Sequence, residues 1–164
     1  MVCTGDILVY GVQIYLTDVV KYILKFAKSN IDKESYDTLS ENIKNQDSYE
    51  VMEHTEKFFK ELNLSIEIIR PKCCLYDEDE TDSDYGKVYL GVELYENSNV
   101  SRFNIDKFST FEEYEKSYLS GINYARELLK KNKNKYLEDL GKILPATKNK
   151  PKFYVLPNDC FSCT

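Results

Sequence analysis

Three cysteines near the two ends of the chain have the spacing of a metal or redox site. Cys160 and Cys163 form a CxxC pair, and Cys3 lies near the amino terminus. Such a pair can bind zinc or form a reversible disulfide, but a structural zinc site needs four ligands. The three thiols therefore predict an incomplete zinc site with Asp159 or His54 as the fourth candidate. The alternative interpretation is inert thiols in a short tail, residues 158–164.

The other reactive side chains do not form a catalytic motif. His54 is the only histidine, and no serine or cysteine of motif quality accompanies it, so it cannot be assigned as a general base. Residues 77–84, "DEDETDSD", have the composition of a calcium loop. However, Asp82 stands where such a loop needs glycine, and Val88 stands where it needs glutamate. The sequence therefore predicts a protein that is not an enzyme and has no cofactor.

The charge of the chain is divided between a basic segment and an acidic remainder. The formal net charge of −6 at pH 7 repels a phosphate backbone on average. Residues 130–152 are nevertheless rich in lysine. The predicted basic patch consists of Lys130, Lys131, Lys133, Lys135, Lys148, Lys150 and Lys152. Such asymmetry is typical of a protein that binds a charged partner or itself, and the alternative is a solvated surface.

The composition also indicates where the protein works. Five cysteines in a chain without a signal peptide favour a reducing compartment, so we expect a cytoplasmic protein. No apolar stretch is long enough to span a bilayer, and we expect no membrane partner. Lysine outnumbers arginine 19 to 3, which AT-rich codons produce. The sequence thus predicts an AT-rich source genome, for example that of a large DNA virus.

Two alternating runs predict the central strands of a sheet. Residues 6–16 contain "GVQIY" and residues 87–96 contain "GVELY", and a helical pattern follows each run. Shorter β-rich runs occupy 64–69 and 153–156. The order β, helices, β, β, helices, β predicts one α+β domain over 1–164 with a ferredoxin-like βαββαβ fold. This is a four-stranded antiparallel sheet with helices packed on one face and its first and third strands adjacent.

The face of this sheet opposite the helices is the predicted interaction face. It consists of Gly11, Gln13, Tyr15, Tyr89, Gly91, Glu93 and Tyr95. Two glycines in adjacent strands would let another backbone or a flat ligand approach, and the tyrosines would flank this trough. Tyrosine-rich surface is enriched at protein interfaces. The alternative interpretations are RNA stacking, which Glu93 disfavours, and a face buried as core.

These patterns favour a non-enzymatic cytoplasmic module that binds another protein or assembles with itself. The first alternative is a nucleic-acid-binding accessory domain that uses the lysine-rich segment 130–152. The second is a small zinc-binding or thiol-redox protein built on the three cysteines. The topology also predicts that the acidic hairpin loop 77–84 lies at the same end of the sheet as the lysines at 148–152.

Overall fold

The computed structural model describes residues 6–44, 48–70, 86–97, 106–117 and 122–157 of the 164-residue chain. The predicted acidic loop 77–84 and tail 158–164 lie outside the described residues. In chain order the elements are β1 (Asp6–Tyr15), α1 (Leu16–Asn30), α2 (Lys33–Lys44), α3 (Ser48–Glu61), β2 (Glu67–Ile69), β3 (Lys87–Asn97), β4 (Asp106–Phe108), α4 (Phe111–Ser117), α5 (Ile122–Ile143) and β5 (Lys152–Pro157). None of these helices combines the length and the apolar character that crossing a membrane requires.

The strands form one antiparallel sheet in the order β2-β3-β1-β5-β4. The predicted α+β class is therefore confirmed, and β1 and β3 are neighbours in the middle of the sheet. The alternation of apolar residues along both strands explains why each strand buries one side against the helices. β4 is an additional edge strand. Its three residues are too short a run for an alternating pattern to reveal.

The helices contribute their buried residues to one side of the sheet. On that side the main core contains Leu8, Tyr10, Val12 and Ile14 of β1 and Val88, Leu90, Val92 and Leu94 of β3. Residues of α1 recur at helical spacing and pack against these strands; they are Leu16, Val19, Ile23 and Ala27. A second buried cluster contains only strand residues among those described, namely Ile7, Val9, Ile69, Tyr89, Tyr154 and Leu156. Both sides of the sheet thus have buried apolar residues.

Gly11 and Gly91 lie opposite each other where β1 and β3 approach most closely. They form a cross-strand pair. A Cβ atom on Gly11 would collide with the carbonyl oxygen of Leu90 and would lie 2.9 Å from the Cα of Gly91. A Cβ on Gly91 would collide in the same way with the carbonyl oxygen of Tyr10. Both glycines are therefore needed for the contact between the two central backbones.

Asp139 is a buried carboxylate that connects α5 to the segment before β2. Its side chain is fully buried, and it accepts hydrogen bonds from the backbone N–H of Ser65 at 2.8 Å and from the Ser65 hydroxyl at 2.6 Å. The ammonium groups of Lys142 and Lys135 lie 3.2 and 3.3 Å from its oxygens. Burial alone would raise the pKa of Asp139, but these donors outweigh burial and lower the pKa to about 2.

We predict that replacing Gly11 with alanine destabilises the protein by about 3 kcal/mol, because the added methyl group must push β1 away from β3. Urea unfolding measures this change. Gly141→Ala is the matched control, since Gly141 lies on the surface of α5 and its added Cβ would have its nearest neighbour at 3.7 Å. The control should be neutral or stabilising by up to about 1 kcal/mol. Equal stability of Gly11→Ala and the original protein would contradict the close-approach account.

The hydrogen bonds and ion pairs of Asp139 predict that the free energy of unfolding depends on pH. The folded-state pKa of about 2 lies below the ordinary 3.8, so the carboxylate stabilises the fold above pH 4 and this contribution disappears as pH falls towards 2. Because the two lysines are exposed, we expect Asp139→Asn to cost about 1 to 2 kcal/mol at neutral pH. Urea unfolding at several pH values should show this difference shrinking towards pH 2. The exposed neighbour Glu138, changed to Gln, serves as control. A difference independent of pH would refute the assignment.

Candidate functional site

Tyr89 and Tyr154 close the face of the sheet that the sequence predicts to be open. Each lies diagonally across the sheet from Gly11, Tyr89 on β3 and Tyr154 on β5. Their ring centroids are 4.9 Å apart with the edge of one towards the face of the other, so the rings meet over Gly11. Tyr89 is 2% exposed and Tyr154 is 7% exposed. The predicted exposed trough is therefore wrong at Gly11, Tyr89 and Gly91, because all three residues are buried.

Tyr95 lies on the other side of the sheet from Tyr89, contrary to the prediction. The register of β1 and β3 shifts between Leu8 and Val9, so that Leu8 pairs with Tyr95 and Val9 pairs with Glu93. One additional residue on β3 reverses the faces beyond that point. Tyr95 is consequently half-buried and packs against the main core on the helix side.

Glu93 remains exposed, and its surroundings are acidic. It lies near Glu67 of the neighbouring strand β2, whose partner in the ladder is Gly91. Partial burial of the carboxyl group raises the pKa of Glu67, and the nearby carboxylates Glu93 and Glu56 raise it further. This part of the sheet therefore offers negative charge rather than a platform for phosphate.

Gln13 and Tyr15 line a groove at the end of the sheet, where β1 extends beyond β5. The ladder between these strands ends at the pair Gly11 and Lys152. The groove has a volume of about 310 Å³. Its lining, which defines the strand-end groove, is Val12, Gln13, Ile14, Tyr15, Asp18, Tyr22, Thr147, Lys148, Lys150 and Tyr154. It joins two residues of the predicted interaction face with two lysines of the predicted basic patch.

The floor of the strand-end groove is fixed by hydrogen bonds around Gln13. The side-chain amide of Gln13 donates to the hydroxyl of Tyr89 at 3.2 Å. Burial raises the pKa of Tyr154, and a hydrogen bond from the backbone N–H of Gln13 to its hydroxyl offsets part of that effect. Tyr15 by contrast is 46% exposed, and the ammonium of Lys87 lies 5.5 Å from the centre of its ring. The floor of the strand-end groove is thus held by hydrogen bonds, and the ring of Tyr15 beside it is accessible to solvent.

The strand-end groove is positively charged. Lys148 and Lys150 are exposed, and neither forms an ion pair with another residue within the described ranges. Asp18 also lines the groove, but its carboxylate lies 3.8 Å from the ammonium of Lys21. Ammonium groups beside a tyrosine ring can bind carboxylates and can also pack against an apolar side chain.

The lysines of α5 do not line this groove. Three of the four predicted-patch lysines on α5 already have contacts on the protein: Lys130 with Glu127 at 4.0 Å, Lys135 with Asp139 at 3.3 Å, and Lys133 with the Tyr10 ring centre at 5.9 Å. Lys131 is exposed, and Lys152 belongs to β5 opposite Gly11. The predicted basic patch is therefore divided, and only Lys148 and Lys150 converge with the tyrosines.

The predicted cysteine site, Cys3, Cys160 and Cys163, lies outside the described residues and stays a prediction. Asp6 pairs with Pro157, so β1 begins beside the end of β5. In the described part of the chain no three histidine, cysteine or acidic side chains are grouped as a metal site would need. His54 lies on α3, in a different groove from the one at the end of the sheet.

The two strands that flank the acidic loop end beside the strand-end groove. Lys87, at the start of β3, pairs with Tyr15, and Ile69, at the end of β2, pairs with Tyr89. The acidic residues of 77–84 themselves are outside the described ranges, so their predicted proximity to Lys148 and Lys150 stays a prediction.

Tyr154 is the residue of this site that the sequence analysis missed. It follows Lys152 by two positions in β5, and period-two alternation would have placed both on one face.

No family model, no curated protein and no solved structure matches this chain. Function must therefore be inferred from the groove itself.

Proposed function

We propose that this protein is a non-enzymatic interaction module that binds an acidic segment of a partner protein in the strand-end groove. The observation that carries the proposal is the convergence of Lys148 and Lys150 on the exposed ring of Tyr15. Tyrosine is enriched among residues that dominate protein interfaces, and charge complementarity selects the partner and its orientation. A carboxylate-rich segment with an aromatic or aliphatic side chain satisfies both features.

The size of the groove supports a short partner segment. A volume of about 310 Å³ lies at the lower end of the range for ligand pockets, which is roughly 300–1,000 Å³. It can receive one or two side chains, so the charged contacts at its rim must supply much of the selectivity. Exposed ion pairs contribute at most about 1 kcal/mol each, and we therefore expect weak binding that salt reduces.

The charges of the molecule favour a protein over a nucleic acid as the partner. Nucleic-acid binding usually needs a continuous basic face, whereas the lysines of α5 lie apart from the groove. Asp18 lines the groove, and Glu93 and Glu67 lie along the same sheet. These carboxylates would repel a phosphate backbone.

We also propose that the architecture is ferredoxin-like, with β4 added at the edge. The order β2-β3-β1-β5 supports this assignment, because it places the first and third strands between the second and the last. Helices lie between β1 and β2 and between β3 and β5. A cytoplasmic location is part of the same proposal, and the AT-rich source stays a prediction.

The proposal predicts that Lys148→Glu with Lys150→Glu weakens binding of an acidic peptide about tenfold, since two attractive charges become repulsive. The probe is a short fluorescein-labelled peptide of alternating glutamate and tyrosine, and fluorescence anisotropy gives the dissociation constant. Lys130→Glu with Lys131→Glu is the matched control, because it changes the net charge equally outside the groove. The control should change the constant by less than about twofold.

Three outcomes would contradict this function. Equal losses in the two double variants would mean that the peptide responds to net charge and not to the groove. An original protein that fails to bind the peptide at low salt would also overturn the proposal. Tighter binding of a short polyuridine RNA than of the peptide, lost in the Lys148 and Lys150 variant, would assign the groove to nucleic acid instead.

A further inference from the structure

A second and larger groove lies between α2 and α3, away from the end of β1. Its volume is about 630 Å³, and it is open to solvent. Its lining, which defines the helix groove, is Asn30, Ile31, Asp32, Glu34, Ser35, Thr38, Leu39, Asn42, His54, Lys57, Phe58, Glu61 and Leu62. No residue of the strand-end groove belongs to it, so it constitutes a separate surface.

The helix groove has an apolar floor between two polar walls. Leu39 and Phe58 are buried in the floor, and Ile31 and Leu62 are half-buried beside them. The wall formed by α2 presents residues four apart, namely Glu34, Thr38 and Asn42. The wall formed by α3 presents residues three and four apart, namely His54, Lys57 and Glu61. Residues at these spacings follow one side of a helix, so each wall runs along its helix axis.

The charged groups on the rim of the helix groove are mostly negative, and most of them form no ion pair with another described residue. Asp32 accepts hydrogen bonds from the backbone N–H and hydroxyl of Ser35, at 2.9 and 2.8 Å, and these bonds lower its pKa. Glu34 and Glu61 form no ion pair with another described residue, and Lys57 forms none with Glu61 although it is four residues away. Three carboxylates against one ammonium leave the rim negatively charged.

We infer that the helix groove binds a basic amphipathic helix of a partner protein. An apolar floor of this kind receives the aliphatic side chains of such a helix at positions i, i+3, i+4 and i+7. The lining residues cover 34–42 of α2 and 54–61 of α3, which corresponds to roughly 14 and 12 Å along the two helices. Basic residues flanking the apolar stripe would meet Glu34 and Glu61. The open form and the two polar walls fit a helix better than an enclosed small molecule.

The test uses a synthetic helix of about 14 leucine and lysine residues, with leucines at the four positions named above. Glu34→Lys with Glu61→Lys should weaken its binding about tenfold, measured by anisotropy of a fluorescent label. Glu41→Lys with Glu53→Lys is the matched control, since both residues are exposed on the same two helices outside the groove. The control should change the constant by less than about twofold. A peptide with glutamate in place of lysine should not bind.

A second variant tests the groove by shape rather than by charge. Thr38→Trp places a large ring at the exposed wall, and it should block the peptide while circular dichroism and the melting temperature stay unchanged. Lys148→Glu with Lys150→Glu should leave this binding intact, so failure of one site is distinguishable from failure of the other. Equal losses in the Glu34 and Glu61 variant and in the Glu41 and Glu53 control would overturn the inference. Undiminished binding by Thr38→Trp, or binding of the glutamate peptide, would overturn it as well.

Discussion

The close contact between the backbones of β1 and β3 at Gly11 and Gly91 is the constraint on which the centre of the sheet depends. Because neither residue has a Cβ, the central strands approach within a distance that any other residue would prevent. The space above Gly11 is filled by the rings of Tyr89 and Tyr154. The centre of the sheet is consequently closed, and the two grooves that we propose as binding sites lie elsewhere.

Two such places differ in charge, and the net charge of −6 conceals this difference. The strand-end groove presents Lys148 and Lys150 beside Tyr15, whereas the rim of the helix groove presents mainly carboxylates. The lysines of α5 add little to either groove, because none of them lines it. The two proposed sites would therefore select partner segments of opposite charge.

Sequence patterns predicted the pairing of β1 with β3, whereas they did not predict features that depend on residues far apart in the chain. Alternation identified β1 and β3 as strands, and the order of elements along the chain placed them side by side. The glycines were recognised as a site of close approach, but the approaching group is the neighbouring strand and not a ligand. Tyr95 was misplaced because a bulge leaves no mark in the alternation. Burial of Asp139 depends on Ser65, 74 positions away, so a lysine-rich helix gave no sign of it.

Solution NMR of the original protein tests the central claim most directly, because it reports which groups face Gly11. If the rings of Tyr89 and Tyr154 lie over this glycine, both will show nuclear Overhauser contacts to its α protons, and ring currents will shift those protons upfield. Unshifted α protons without contacts to either ring would mean that the face is open. The interaction surface would then be the middle of the sheet and not its end.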